Sequence, residues 1–166
     1  MNSEIISKIK CQDEFSWKDK LFITIDIDWA HDEIIKDTAK LLKEANVCAT
    51  WLVTHKTFLV KELSQNKSFE LGIHPNFNKL LDGNSKDKIN ASQIVKNMLD
   101  IVPNAKSVRS HSMTQNSRLL DLFFENNIQY DLNHFIPLYS NIELKPWKLW
   151  NGIIKIPYFM TSFFKF

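Results

Sequence analysis

Two aspartates stand two residues apart in the run TIDIDWA: Asp26 and Asp28. On a strand, residues i and i+2 point to the same side. Two carboxylates that share a side repel unless a cation or a base neutralises them. A hard metal held by one, with the other kept free as a proton acceptor, is one arrangement that satisfies both. A solvated strand end is the alternative, and the apolar residues flanking the pair count against it. His74 and Asn78 lie four apart in GIHPNFN, a spacing that can meet on one helical turn opened by Pro75. Arg109 and His111 repeat the i, i+2 spacing. An arginine can orient a carboxylate through a bidentate hydrogen bond. His111 can serve as a metal ligand, a proton donor or a polar strand end, and His55, which follows Thr54, has the same range of uses. His31, at the entry of a helical pattern, and His134, in an expected loop, read as surface residues. Trp29, Trp51, Trp147 and Trp150 are core or groove candidates, since burial is the commoner use of tryptophan than a sugar platform.

The elements that must position these groups alternate along the chain. Residues 21–28 form a β-branched run, and residues 31–45 carry apolar side chains at helical spacing, with Asp32 and Glu33 where the helix dipole favours negative charge. Residues 47–54 and 69–74 read as buried strands around a short helix over 56–64. A loop is expected over 76–84 and a helix over 86–102, stopped by Pro103. A fourth strand follows over 105–109, a helix over 117–127, a fifth strand over 128–132 and a sixth over 152–156. Strands alternating with helices argue for βαβ units and a parallel α/β sheet. Right-handed crossovers then put the carboxyl ends of all strands on one edge. Asp26, Asp28, Thr54, His55, His74, Arg109 and His111 all fall at such ends, where active sites of parallel α/β folds are built.

Composition narrows the function classes. The chain has 166 residues, 44% hydrophobic and 24% charged, which fits one packed domain. Its net charge of +2 gives no electrostatic footprint for nucleic acid or an acidic membrane. Three glycines are too few for a dinucleotide fingerprint or a Walker loop. Two cysteines, Cys11 and Cys48, support neither a disulfide framework nor a cysteine-type zinc site. No apolar run reaches the ~18 residues of a membrane helix, and the first residues alternate polar and apolar without a signal-peptide core. A cytoplasmic setting is expected.

Taken jointly, TIDIDWA, CATWLVTH, ELGIHPNFN, VRSHSM and IQYDLN resemble the polysaccharide deacetylases of the NodB-homology, carbohydrate esterase 4 type, in particular the WbmS-type subgroup linked with O-antigen biosynthesis. The similarity runs over about residues 20–160. It implies an α/β fold, a distorted (β/α) barrel incomplete at its C-terminal side, with residues 1–19 as an N-terminal extension and 20–166 as the barrel domain. It also implies a divalent metal, zinc in many relatives, and an acetylated sugar or glycan as substrate. The family's base and metal aspartates fall on Asp26 and Asp28, separated here by Ile27. The histidine pair falls on His74 and Asn78, so metal positions are Asp28, His74 and Asn78. The arginine that braces the base falls on Arg109. A neutral amide is a poor zinc ligand, so either His111 takes the third position or the site holds its metal differently. Otherwise His111 or His55 would protonate the leaving group, with His55 and Trp29 beside the substrate. The family's C-terminal histidine motif has no counterpart. A full barrel takes roughly 200 residues or more, so a homodimer covering an open wall is one expectation. Two other readings stay open: a haloacid-dehalogenase-type magnesium phosphatase built on Asp26 and Asp28, with Ala30 at its next key position, and a barrel that binds glycan without reacting.

Overall fold

Alternating strands and helices in the sequence become a single curled sheet with helices on its outer face. The computed structural model describes residues 2–81 and 89–159. The strands are β1 (Ile23–Asp26), β2 (Ala49–Val53), β3 (Phe69–Ile73), β4 (Ser107–Val108), β5 (Tyr130–Phe135), β6 (Trp147–Lys148) and β7 (Ile154–Tyr158). The helices are α1 (Asp32–Glu44), α2 (Leu59–Ser64), α3 (Asn78–Leu81), α4 (Ala91–Ile101) and α5 (Ser117–Glu125). The sheet order is β1-β2-β3-β4-β5-β7-β6. All neighbours are parallel except β6, a short strand antiparallel to β7. This is an α/β fold with an incomplete, distorted NodB-type barrel. Its seam, between β1 and β7, is a groove of about 430 Å³ lined in part by Phe22, Thr24, Ile156 and Tyr158.

Local chemistry explains where the helices start. His31 caps α1 by accepting from the Glu33 N–H, Asn90 caps α4 and Asn116 caps α5, each side chain satisfying an amide that the first turn leaves free. The strands sort their side chains by parity. Ala49, Trp51 and Val53 of β2 pack outward with Ile35, Ala39, Leu59 and Leu63 of the helices. Leu52 points inward and packs with Leu132 and Ile156.

The inner face is completed by the N-terminal residues. Ile6 and Ile9 are buried against Leu52, Tyr130, Leu132 and Ile156. The Ile6 N–H donates to Thr50 Oγ1 (3.1 Å), the Ser7 N–H to Glu70 Oε2 (2.9 Å), and the Tyr130 hydroxyl to the Ile9 carbonyl (3.1 Å). These contacts lie at the amino ends of β2, β3 and β5 and plug the end of the barrel opposite the aspartate pair. Glu70 is pushed above the usual carboxylate range, chiefly by burial, with hydrogen bonds from Ser7, Ser107 and Thr50 opposing the shift.

Several elements differ from the sequence-based expectation. The first strand ends at Asp26, so Asp28 lies beyond it, in a left-handed conformation (φ 44°). The fourth strand is only Ser107–Val108, so Arg109 and His111 do not share a strand face. His134 is in β5 rather than a loop, its ring edge-on to Trp147 at 4.9 Å. Residues 78–81, expected in a loop, form α3. The remainder of that loop and the start of the expected 86–102 helix, residues 82–88, lie outside the described residues, as do residues 160–166. Strand β6 has no apolar alternation to announce it.

Candidate metal centre

The site grows from strand ends that continue past their ladders. The Ile27 N–H donates to the Leu52 carbonyl, the His74 N–H to Val53, the Arg109 N–H to Ile73 and the His111 N–H to Pro75. These bonds step the four segments onto one edge. Two tight turns then aim the side chains. Ile27–Ala30 closes with the Ala30 N–H on the Ile27 carbonyl (2.9 Å), with Asp28 and Trp29 both at positive φ. His111–Thr114 closes in the same way, with Ser112 and Met113 both at positive φ (55° and 53°). Left-handed pairs of this kind favour glycine or asparagine. Bulky residues held there carry strain of the sort that collects at functional sites.

The turns bring three ligand-type groups together. Asp28 Oδ1 lies 3.2 Å from His74 Nε2 and 3.1 Å from His111 Nδ1. One ligand atom from each of Asp28, His74 and His111 falls within 4.8 Å of the others, a cluster able to hold a divalent metal. His74 is buried, His111 half-buried and Asp28 exposed, so the cluster opens to solvent on the aspartate side. Burial pulls the His74 imidazole below its ordinary range, while Asp26 and Asp28 oppose the shift. The neutral ring is the form that binds metal. His74 Nδ1 is buried without a hydrogen-bond partner, 3.8 Å from Asp26 Oδ1. The donor set therefore fits a metal: two imidazoles, one carboxylate and an accessible side.

Asp26 is held beside the cluster but not in it. Arg109, 5% exposed, donates from Nη1 to Asp26 Oδ1 (2.8 Å), from Nη2 to Thr24 Oγ1 (2.8 Å) and from Nε to the Leu132 carbonyl (3.3 Å). Its guanidinium carbon lies 4.2 Å from the centre of the Tyr158 ring. The pair is thus a fixed carboxylate with Oδ1 occupied and Oδ2 uncommitted among the described hydrogen bonds.

The other candidates are placed more loosely. Asn78 heads α3, and its Nδ2 donates to Ser112 Oγ (3.3 Å). It shares no helical turn with His74, because the chain turns first at Asn76, whose Oδ1 accepts from the Asn78 N–H. His55 Nδ1 is 2.9 Å from Thr54 Oγ1, which accepts from the Trp29 N–H. Trp29 is 49% exposed, with its ring edge-on to His111 at 5.0 Å. Sequence reasoning missed Thr24 and Tyr158. Thr24 was findable, since it precedes Asp26 by two on the same strand face. Tyr158 carried no local signal.

Together these features define a class: an open parallel α/β barrel with a metal-type Asp-His-His cluster at its strand carboxyl ends, beside an arginine-braced carboxylate. The WbmS-like polysaccharide deacetylase family matches residues 23–163, and the chain belongs to that family. It is similar to a crystal structure from Bordetella bronchiseptica, provisionally described as a polysaccharide deacetylase involved in O-antigen biosynthesis. That match has a TM-score of 0.91 and 40% identity over 95% of this chain and 65% of the other. The chain thus spans about two thirds of that relative's length. A Mycobacterium smegmatis structure, provisionally described as a polysaccharide deacetylase, aligns with a TM-score of 0.56 and 15% identity over 98% of this chain and 59% of its own, a likeness of fold alone. No curated protein matches the sequence. The phosphatase reading does not survive: His74, Arg109 and His111, which it left idle, all converge on the aspartate pair.

Proposed function

We propose that the protein is a metal-dependent hydrolase that removes acetyl groups from a sugar or glycan of the cell-surface type. One observation carries the reading: a carboxylate fixed by a buried arginine stands next to an open Asp-His-His cluster. Asp28, His74 and His111 would hold the metal, which moves His111 from proton donor to ligand and leaves Asn78 on Ser112. Two imidazoles, one carboxylate and an open side suit zinc. When bound, such a metal supplies Lewis acidity and makes a water more acidic.

The protein's own residues supply the rest. Asp26 takes a proton from a water at its uncommitted Oδ2, while Arg109 keeps that carboxylate oriented through Oδ1. Thr24 and Tyr158 in turn restrain the arginine. Trp29, half exposed at the rim, offers an aromatic face to a sugar ring, with His55 beside its backbone. The O-antigen role of the Bordetella relative supports a surface-glycan precursor as substrate. Among the described residues no helix is long and apolar enough to cross a membrane. Cys11 and Cys48 are unpaired thiols, which is consistent with the cytoplasmic setting we propose.

Acetate release from acetylated amino-sugar glycans by the zinc-loaded protein tests the reading. Asp26→Asn is expected to keep zinc and lose 10²- to 10⁴-fold in turnover, roughly the value of a positioned base. Unchanged turnover in D26N would remove Asp26 from the reaction. Glycan binding with no acetate released by the wild-type protein would favour a non-reacting barrel.

A further inference from the structure

A buried polar network outside the site grips the segment that carries Arg109 and His111. Between Asp131↔Lys155 and His134↔Pro157 the register of β5 and β7 shifts, with two residues of β5, Leu132 and Asn133, set against one of β7, Ile156. Such bulges re-aim side chains next to sites. Inside this one sits Asn133, fully buried. Its Oδ1 accepts from the Ser110 N–H (2.8 Å), and its Nδ2 lies 3.5 Å from Ser110 Oγ. Ser110 stands between Arg109 and His111. The Asn133 N–H donates to Asp131 Oδ1 (2.7 Å), and the same oxygen takes Lys155 Nζ (3.0 Å). Lys155 Nζ also donates to Gln115 Oε1 (2.7 Å), just past the turn. The network therefore holds the segment at both ends.

We propose that Asn133 and Lys155, coupled through Asp131, are positioning residues that set the His111 ligand and the Arg109 brace, and that the buried ion pair is kept for this rather than for stability. Apolar replacements of buried pairs often leave stability unchanged or raise it. Here the pair's atoms are spent on the loop: Lys155 on Gln115, Asp131 on Asn133. The bulge also places the Leu132 carbonyl where Arg109 Nε reaches it. The turn that follows Ser110 holds Ser112 and Met113 at positive φ, so the His111 segment needs such external restraint. The inference rests on the metal centre proposed above, and its test separates the two.

Cobalt(II) titrated into the purified full chain, followed by its visible band, reads affinity and ligand geometry. In Asn133→Ala the Co²⁺ affinity is expected to fall about 10- to 100-fold, as when a ligand's supporting shell is removed, with an altered band. Gln115→Ala, at an exposed side chain, is expected to lose at least about threefold, and Gln115→Glu, which keeps the acceptor, to restore binding. Leu63→Ala, a cavity under α2 at a residue that makes none of the network's hydrogen bonds, serves as a control that lowers Tm without moving Co²⁺ affinity. A folded N133A with wild-type affinity and band overturns the clamp while leaving the metal centre standing. If N133A does not fold, wild-type Co²⁺ binding by Q115A overturns it instead. Failure of the wild-type protein to take up Co²⁺ overturns the metal centre and the clamp together.

Discussion

Replacing Arg109 by lysine tests the brace on Asp26 while keeping the charge. The guanidinium makes three hydrogen bonds, to Asp26, Thr24 and Leu132, and lies against Tyr158. An ammonium that reaches Asp26 keeps one of them, because lysine is a single flexible point charge and not a planar fork. The two lost bonds are worth about 0.5–1.5 kcal/mol each, and the ring contact about 0.5–1 kcal/mol. The expected destabilisation is therefore about 1.5–4 kcal/mol. It should appear as a lower midpoint in urea at unchanged slope. Zinc affinity should hold within a few-fold, since Arg109 touches none of Asp28, His74 and His111. Acetate release should fall by about 10²-fold or more as Asp26 loses its orientation. An R109K protein with the wild-type midpoint and wild-type turnover would refute the reasoning, because the brace would then do nothing that a bare charge cannot do.

Three further outcomes follow from the same geometry. His111→Ala should weaken zinc binding by at least about tenfold, and Asn78→Ala should leave it within a few-fold; calorimetry showing the opposite pattern would return the third position to Asn78. Glu70 has a raised folded-state pKa, so the native state binds more protons than the unfolded chain and its contribution falls as pH rises from about the ordinary value of 4.5. Glu70→Gln should accordingly raise Tm relative to wild type at pH 7–8, with the difference closing by about pH 4; a pH-independent difference would rule out titration of this group as the cause. At Gly72 an added Cβ would sit 2.6 Å from the Ser107 carbonyl oxygen and 2.7 Å from Leu52 Cδ2. Gly72→Ala should therefore cost about 1–3 kcal/mol or more in denaturant unfolding, and a neutral effect would mean that β3 and β4 separate more easily than their packing shows.

By itself the sequence determined the alternation of strands and helices, the polar edge and most of the groups gathered there. Period-two and period-3.6 patterns are local, and so is a Pro stop, so β2, β3, α1, α5 and the C-terminal end of α4 were legible within a few residues; the Asn90 and Asn116 caps are local too but went unread. The family series added the pairing of Asp26 with Arg109, 83 residues apart. Only the tertiary structure decided how Asp28 and His111 reach His74. The strand argument placed them correctly at the edge for a reason that does not hold, since both lie past their strands in tight turns with left-handed residues that bulky side chains do not announce. For the third position the resemblance pointed to Asn78 and the residues left His111 as the alternative; the bond from the His111 N–H to Pro75, which sets that segment over His74, is a tertiary contact and supports His111 in the function proposed above. Tyr158 and Asn133 were invisible for the same physical reason. Their roles depend on the register shift between β5 and β7, and register is set by the packing of whole strands and not by any short run of residues.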